Sequence, residues 1–138
     1  MLVNAAPFAT IVLLLVWMGF FMLGSLPLMI LKHDTPLDAR FIRGLFDVYY
    51  KAVMVVAGLG VLAHALVHRP VVTLVLAGVV AVAYFSRRII LGHMDRLRAT
   101  MSAHDAPAIR SFRRWHVLGM ALNVAQLLAI CASLPFVL

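Results

Sequence analysis

His116, Gly119, Asn123 and Gln126 fall at steps of three, four and three within "RRWHVLGMALNVAQLL", so a helix through them carries all four on one stripe. Polar side chains inside an apolar span are costly and count by default as candidates for function. Asparagine and glutamine also act there as hydrogen-bonding glue between helices, and glycine lets a neighbouring backbone come close. Two chemistries are therefore open to the stripe. His116, Asn123 and Gln126 could hold a cofactor, or the stripe could fasten one helix to another.

Other clusters have metal-ligand character. His64 and His68 are i,i+4 neighbours, a spacing that lets two imidazoles share a face and a metal. No acidic residue accompanies them, and an interfacial pair is the alternative. His64 and His116 lie near opposite ends of their helices, roughly 20 Å apart in depth at about 1.5 Å per residue, so one metal cannot take both. His33, His93, Asp95, His104 and Asp105 would all sit at one face, where they could take a divalent ion if their loops met, or simply be solvated. Met18, Met22 and Met29 recur at spacings of four and seven. A thioether stripe of that kind suits Cu(I) or flexible packing.

The elements that must position these groups are membrane helices. Hydrophobic residues make up 64% of the 138 residues and charged residues 12%, with a mean hydropathy of +1.04; a soluble domain is about a quarter charged. A charge in hydrocarbon costs roughly 2.5 kcal/mol or more, so charges mark the ends of spans. The stretches 1–31, 52–68, 70–86 and 115–138 carry none. At about 1.5 Å per residue the two shortest fall near the lower limit for crossing about 30 Å, and Lys51, Arg69 and Arg87 can snorkel from their ends. The expected fold is an all-α integral membrane four-helix bundle in one domain, with spans near 8–31, 49–68, 70–90 and 115–136.

Lysine and arginine set the orientation. Lys32, Arg40, Arg43, Lys51, Arg87, Arg88, Arg96, Arg98, Arg110, Arg113 and Arg114 belong to the first and third loops, and Arg69 alone to the second. By the positive-inside rule both termini face outward, to the periplasmic side of a bacterial inner (plasma) membrane. The net charge of +7 then sits at the cytoplasmic face against anionic lipid, and nucleic acid is not an expected partner. The first segment has no basic n-region and no small-x-small cleavage site before Lys32, so it reads as a span rather than a signal peptide. Cys131, the single cysteine, lies within the last span, which excludes an intramolecular disulfide.

Local signals refine the elements. Gly19, Gly24 and Ser25 allow close approach to the first helix, and Pro27 bends its inner end. Thr35, Pro36 and Asp38 read as a helix start, with Leu37, Phe41, Leu45 and Val48 as that helix's apolar side and Tyr49 and Tyr50 as a headgroup-level aromatic belt. Arg69 and Pro70 enforce a tight turn, so the second and third spans form an antiparallel hairpin. The third helix continues into the third loop, breaks around "SAHDAP", and the fourth starts at Pro107 with Asp105 as N-cap.

"FIRGLFDVYYKAV", "RRIILGHMDRLRA" and "FRRWHVLGMALNVAQLL" together resemble the four-helix membrane family known as domain of unknown function 4149, related to the transmembrane-protein-205-like group. The likeness covers most of the chain, and its most specific part is Phe112 followed by His116 and Asn123. It implies a four-span bundle linked to metal or metallodrug tolerance. "WMGFFMLGSLPLMILKH" bears a more distant likeness to the CopD-type copper proteins and the HemJ-type protoporphyrinogen oxidases, which implies copper or haem held by His33 and His116. The histidine that precedes the tryptophan in the HemJ group, and the lysine of its third helix, have no counterpart in "FATIVLLLV" and "VVTLVLAGVV".

No GxSxG, P-loop, Rossmann glycine pattern or HExxH is present, and the five acidic residues all lie outside the charge-free spans. The expected function is an accessory or binding bundle that engages a partner membrane complex, a metal or a lipophilic small molecule without chemistry of its own. A haem- or metal-dependent oxidoreductase is the alternative. A transporter is the third reading, and it needs at least a homo-oligomer to enclose a path.

Overall fold

The computed structural model describes residues 4–30, 36–100, 102 and 105–137. Four helices fill it: α1 (Ala5–Leu28), α2 (Pro36–Leu66), α3 (Pro70–Thr100) and α4 (Ala106–Ser133), the last followed by a 3-10 turn at Leu134–Phe136. Each is long and apolar enough to cross a membrane. His33 and His104, the Thr35 helix start and Lys32 fall outside the described residues.

The helix boundaries follow from capping chemistry. Asp105 caps α4, its carboxylate accepting the Ala108 N–H at 3.0 Å. Replacing an aspartate N-cap with alanine costs about 1 kcal/mol. Asp105→Ala is accordingly expected to lower the thermal midpoint in detergent slightly and to speed amide exchange in the first turn of α4 alone. α2 ends where His68 adopts φ 56°, a left-handed conformation that closes the helix while the Arg69 N–H bonds the His64 carbonyl at 3.0 Å. Pro70 then opens α3 with its fixed φ. Pro27 lies in the last turn of α1, which finishes with Met29 and Ile30 donating to the carbonyls of Leu26 and Pro27.

The helices run up-down-up-down. At one end Arg69 donates to the Val137 carbonyl and to Asn4 Oδ1, so the α2–α3 turn and both described chain ends meet there. At the opposite, basic end Arg113 reaches the Met29 carbonyl at 2.8 Å, and Arg43 forks onto Asp95 with two bonds of 3.0 Å. Asp47 of α2 lies between Lys51 at 2.7 Å and Arg87 of α3 at 2.8 Å. Lys51 first, and Arg87 beside it, hold the Asp47 carboxyl below the usual carboxylate range. The stabilisation is present at neutral pH and is lost as pH falls through that lowered value.

Core positions repeat at alternating steps of three and four. On α4 they are Phe112, His116, Gly119, Asn123, Gln126, Ile130 and Ser133, and on α1 Ile11, Leu14, Met18, Phe21 and Ser25. That is a heptad seam, which winds helices into a left-handed supercoil. The outward faces carry larger apolar groups, among them Val16, Phe20, Leu23, Leu59, Leu74 and Leu128, all more than half exposed. Inside, the polar Ser25, His64, His116, Asn123 and Gln126 share the core with bulky groups such as Phe46, Tyr49, Tyr50 and Phe112, so large apolar residues stand on both sides of helices long enough to span a membrane.

Two expectations for α2 are corrected. Tyr49 and Tyr50 form no headgroup belt; both are fully buried because they continue the seam of Ala39, Ile42 and Phe46 into the core. The buried side of α2 is that seam, whereas Leu37, Phe41 and Val48 face outward and more than half exposed.

Candidate functional site

Helix α4 places His116, Gly119, Asn123 and Gln126 on its seam, all buried. The stripe read from the sequence is thus the inward face of α4. What meets it is an aromatic cluster from α1 and α2. Tyr49 donates a hydrogen bond from its hydroxyl to Asn123 Oδ1. Phe21 stacks on Tyr49 with centroids 3.9 Å apart and planes at 21°. The Phe46 ring lies edge-on to Phe21 at 5.1 Å and edge-on to His116 at 5.5 Å. Tyr50 packs against both Phe46 and Tyr49, and Ser86 of α3 is the polar neighbour of its hydroxyl.

Gly119 makes this approach possible. A Cβ added there would stand 2.3 Å from Phe46 Cε1 and 2.9 Å from Cζ, so the ring occupies the space that any other side chain would need. Gly19 and Gly24, which also read as approach points, have open space in that direction.

Part of the layer remains chemically open. Trp17 Nε1 and Ser25 Oγ on α1, with Asn123 Nδ2 and Gln126 Oε1 on α4, are buried and have no hydrogen-bond partner among the described residues. Trp17 and Ser25 lie one helical turn on either side of Phe21, so all four groups fall within about two turns of the Tyr49–Asn123 bond. Gln126 Nε2 donates back to the Leu122 carbonyl at 3.2 Å. Buried polar groups in native proteins are nearly always satisfied. These four atoms therefore mark where a further polar partner, a bridging water included, would be satisfied first.

The remaining candidate residues are placed apart. His64 is buried in α2, its Nδ1 against the Gly60 carbonyl at 2.9 Å; a carbonyl only accepts, so Nδ1 carries the proton. Its Nε2 has no partner among the described residues. His68 is exposed in the left-handed turn after α2 has ended, so the two histidines do not present one helical face. His93 stacks on Trp115 with centroids 4.1 Å apart. Asp95 pairs with Arg43 and Arg98, and Asp105 Oδ1 accepts the cap bond of α4. Met18 is buried in the core, with Met22 and Met29 only partly covered.

His116 lies buried on the α4 seam. Its near neighbour is the Phe46 ring, which Gly119 admits into direct contact with α4. No group of three or more His, Cys, Asp or Glu suited to an ion occurs among the described residues. Sequence reasoning missed Tyr49, Phe21 and Phe46 as partners of the stripe. The signal was available in α2, where Ile42, Phe46, Tyr49 and Val53 keep the same alternation of four and three.

No protein-family model, curated protein or solved structure matches the chain.

Proposed function

We propose that the chain is a small polytopic inner-membrane protein whose bundle binds rather than catalyses. It holds a lipophilic small molecule with hydrogen-bonding groups in the layer around Tyr49 and Asn123, and it serves a larger membrane complex as an accessory. Its basic end faces the cytoplasm and its termini the periplasm, an orientation that the distribution of lysine and arginine supports.

One observation supports the reading: four buried polar groups without a hydrogen-bond partner among the described residues flank an aromatic wall in the layer where α1, α2 and α4 meet. None of the four is an acid or a base at neutral pH, so the layer suits recognition better than proton transfer.

Protein purified in mild detergent tests it. The expected preparation is colourless and free of stoichiometric metal, and organic extraction followed by mass spectrometry yields a small lipophilic compound that Asn123→Leu no longer retains. A Soret band or bound metal that disappears in His116→Ala would overturn the proposal in favour of an oxidoreductase.

A further inference from the structure

On its outward side, away from the seam, α4 carries a second feature. Arg110, Arg113 and Arg114 crown a shallow groove of about 500 Å³ that continues along Val117, Leu118 and Ala121. Arg110 and Arg114 are i,i+4 neighbours, with Leu118 one turn further on, so cationic heads and apolar floor lie on one face. All three arginines are exposed. Arg113 is held in place by its bond to the Met29 carbonyl at the end of α1.

The arginines at the other inner corner are employed differently. Arg43 and Arg98 share Asp95, and Arg87 shares Asp47 with Lys51. Carboxylates thus offset the charge between α2 and α3, while the α4 groove keeps three cations over its apolar floor. A second groove, on α2, has a similar apolar lining of Leu37, Phe41 and Val48, with Arg40 as the one cation among the described residues that line it.

We propose that the α4 groove is a binding site for one anionic phospholipid, its phosphate held by Arg110, Arg113 and Arg114 and an acyl chain lying along Val117, Leu118 and Ala121. Charge complementarity selects the occupant: guanidinium groups fork onto phosphate oxygens, and each basic residue at the membrane surface favours an anionic lipid severalfold. The apolar floor excludes a free anion as the natural occupant, because only a ligand with a tail covers it. This site is independent of the ligand layer at Tyr49 and Asn123, on the opposite face of the same helix.

The test uses the full chain released from nanodiscs of mixed phosphatidylglycerol and phosphatidylcholine, with retained lipid counted by native mass spectrometry. Wild-type protein is expected to keep one phosphatidylglycerol with about tenfold preference, and R110Q/R114Q to lose that preference. R88Q/R96Q removes the same charge from exposed positions on α3 and is expected to keep it. Ala121→Phe obstructs the acyl path with all arginines intact and is expected to release the lipid as well, which covers the case in which the arginine variant fails to fold. Equal loss in R88Q/R96Q would reduce the effect to general surface charge and overturn the proposal. So would displacement of the lipid by millimolar glycerol phosphate, which would show a soluble-anion site, and so would full retention in Ala121→Phe.

Discussion

Gly119→Ala is expected to destabilise the bundle by about 1–2 kcal/mol, although alanine is the better helix former. Helix propensity alone would favour the substitution by about 1 kcal/mol. Against that stands a Cβ placed 2.3 Å from Phe46 Cε1, and overpacking of a close-fitted core costs about 1–3 kcal/mol. The steric term wins because the Phe46 ring cannot retreat: Phe21, Tyr50 and His116 pack around it. Thermal unfolding in detergent measures the result, and Gly119→Leu should prevent folding altogether. Two comparisons isolate the cause. Gly78→Ala, with nothing within 4 Å of the added atom, should be neutral or stabilising. Phe46→Leu combined with Gly119→Ala should recover stability relative to Gly119→Ala alone. A Gly119→Ala protein as stable as wild type would mean that α2 and α4 do not make this contact.

Asn123→Leu is the second substitution with a large expected effect. It leaves the Tyr49 hydroxyl buried without its acceptor, at a cost of about 1–3 kcal/mol. Tyr49→Phe leaves Asn123 Oδ1 in the same position. The double variant Tyr49→Phe/Asn123→Leu removes both polar partners and should be more stable than the two single effects predict when added. Hydrogen bonds between membrane helices couple by about 0.6 kcal/mol on average and up to about 1.7 kcal/mol, and a double-mutant cycle resolves the upper part of that range. Strict additivity would show that the bond contributes nothing to folding. Wild-type stability in Asn123→Leu together with loss of the co-purifying compound would place Asn123 in the binding role alone.

The inward face of α4 was legible in the sequence because polar residues stand out in an apolar span and their spacing is unambiguous. Four helices were legible for the same reason, since charge is excluded from hydrocarbon. The α2 half of the layer was not. Tyr49 and Tyr50 sit between Asp47 and Lys51, where aromatic residues commonly face headgroups, so position along the helix suggested a belt while heptad phase placed them in the core. The rule that large apolar residues are buried misled in the same way for Leu37, Phe41 and Val48. It belongs to proteins in water; where lipid is the surroundings, fit rather than hydrophobicity sorts residues between inside and outside.

Four ion pairs at the basic end lie within the α2–α3 hairpin: Arg43 with Asp95, Arg87 with Asp47, and the local bridges from Lys51 and Arg98. None of them needs α4. The hairpin can therefore neutralise Asp47 and Asp95 before the last helix is in place. α4 then docks onto a surface already formed, with Phe46 waiting for the notch at Gly119. Assembly in that order makes α4 the helix whose arrival completes the layer of Tyr49 and Asn123.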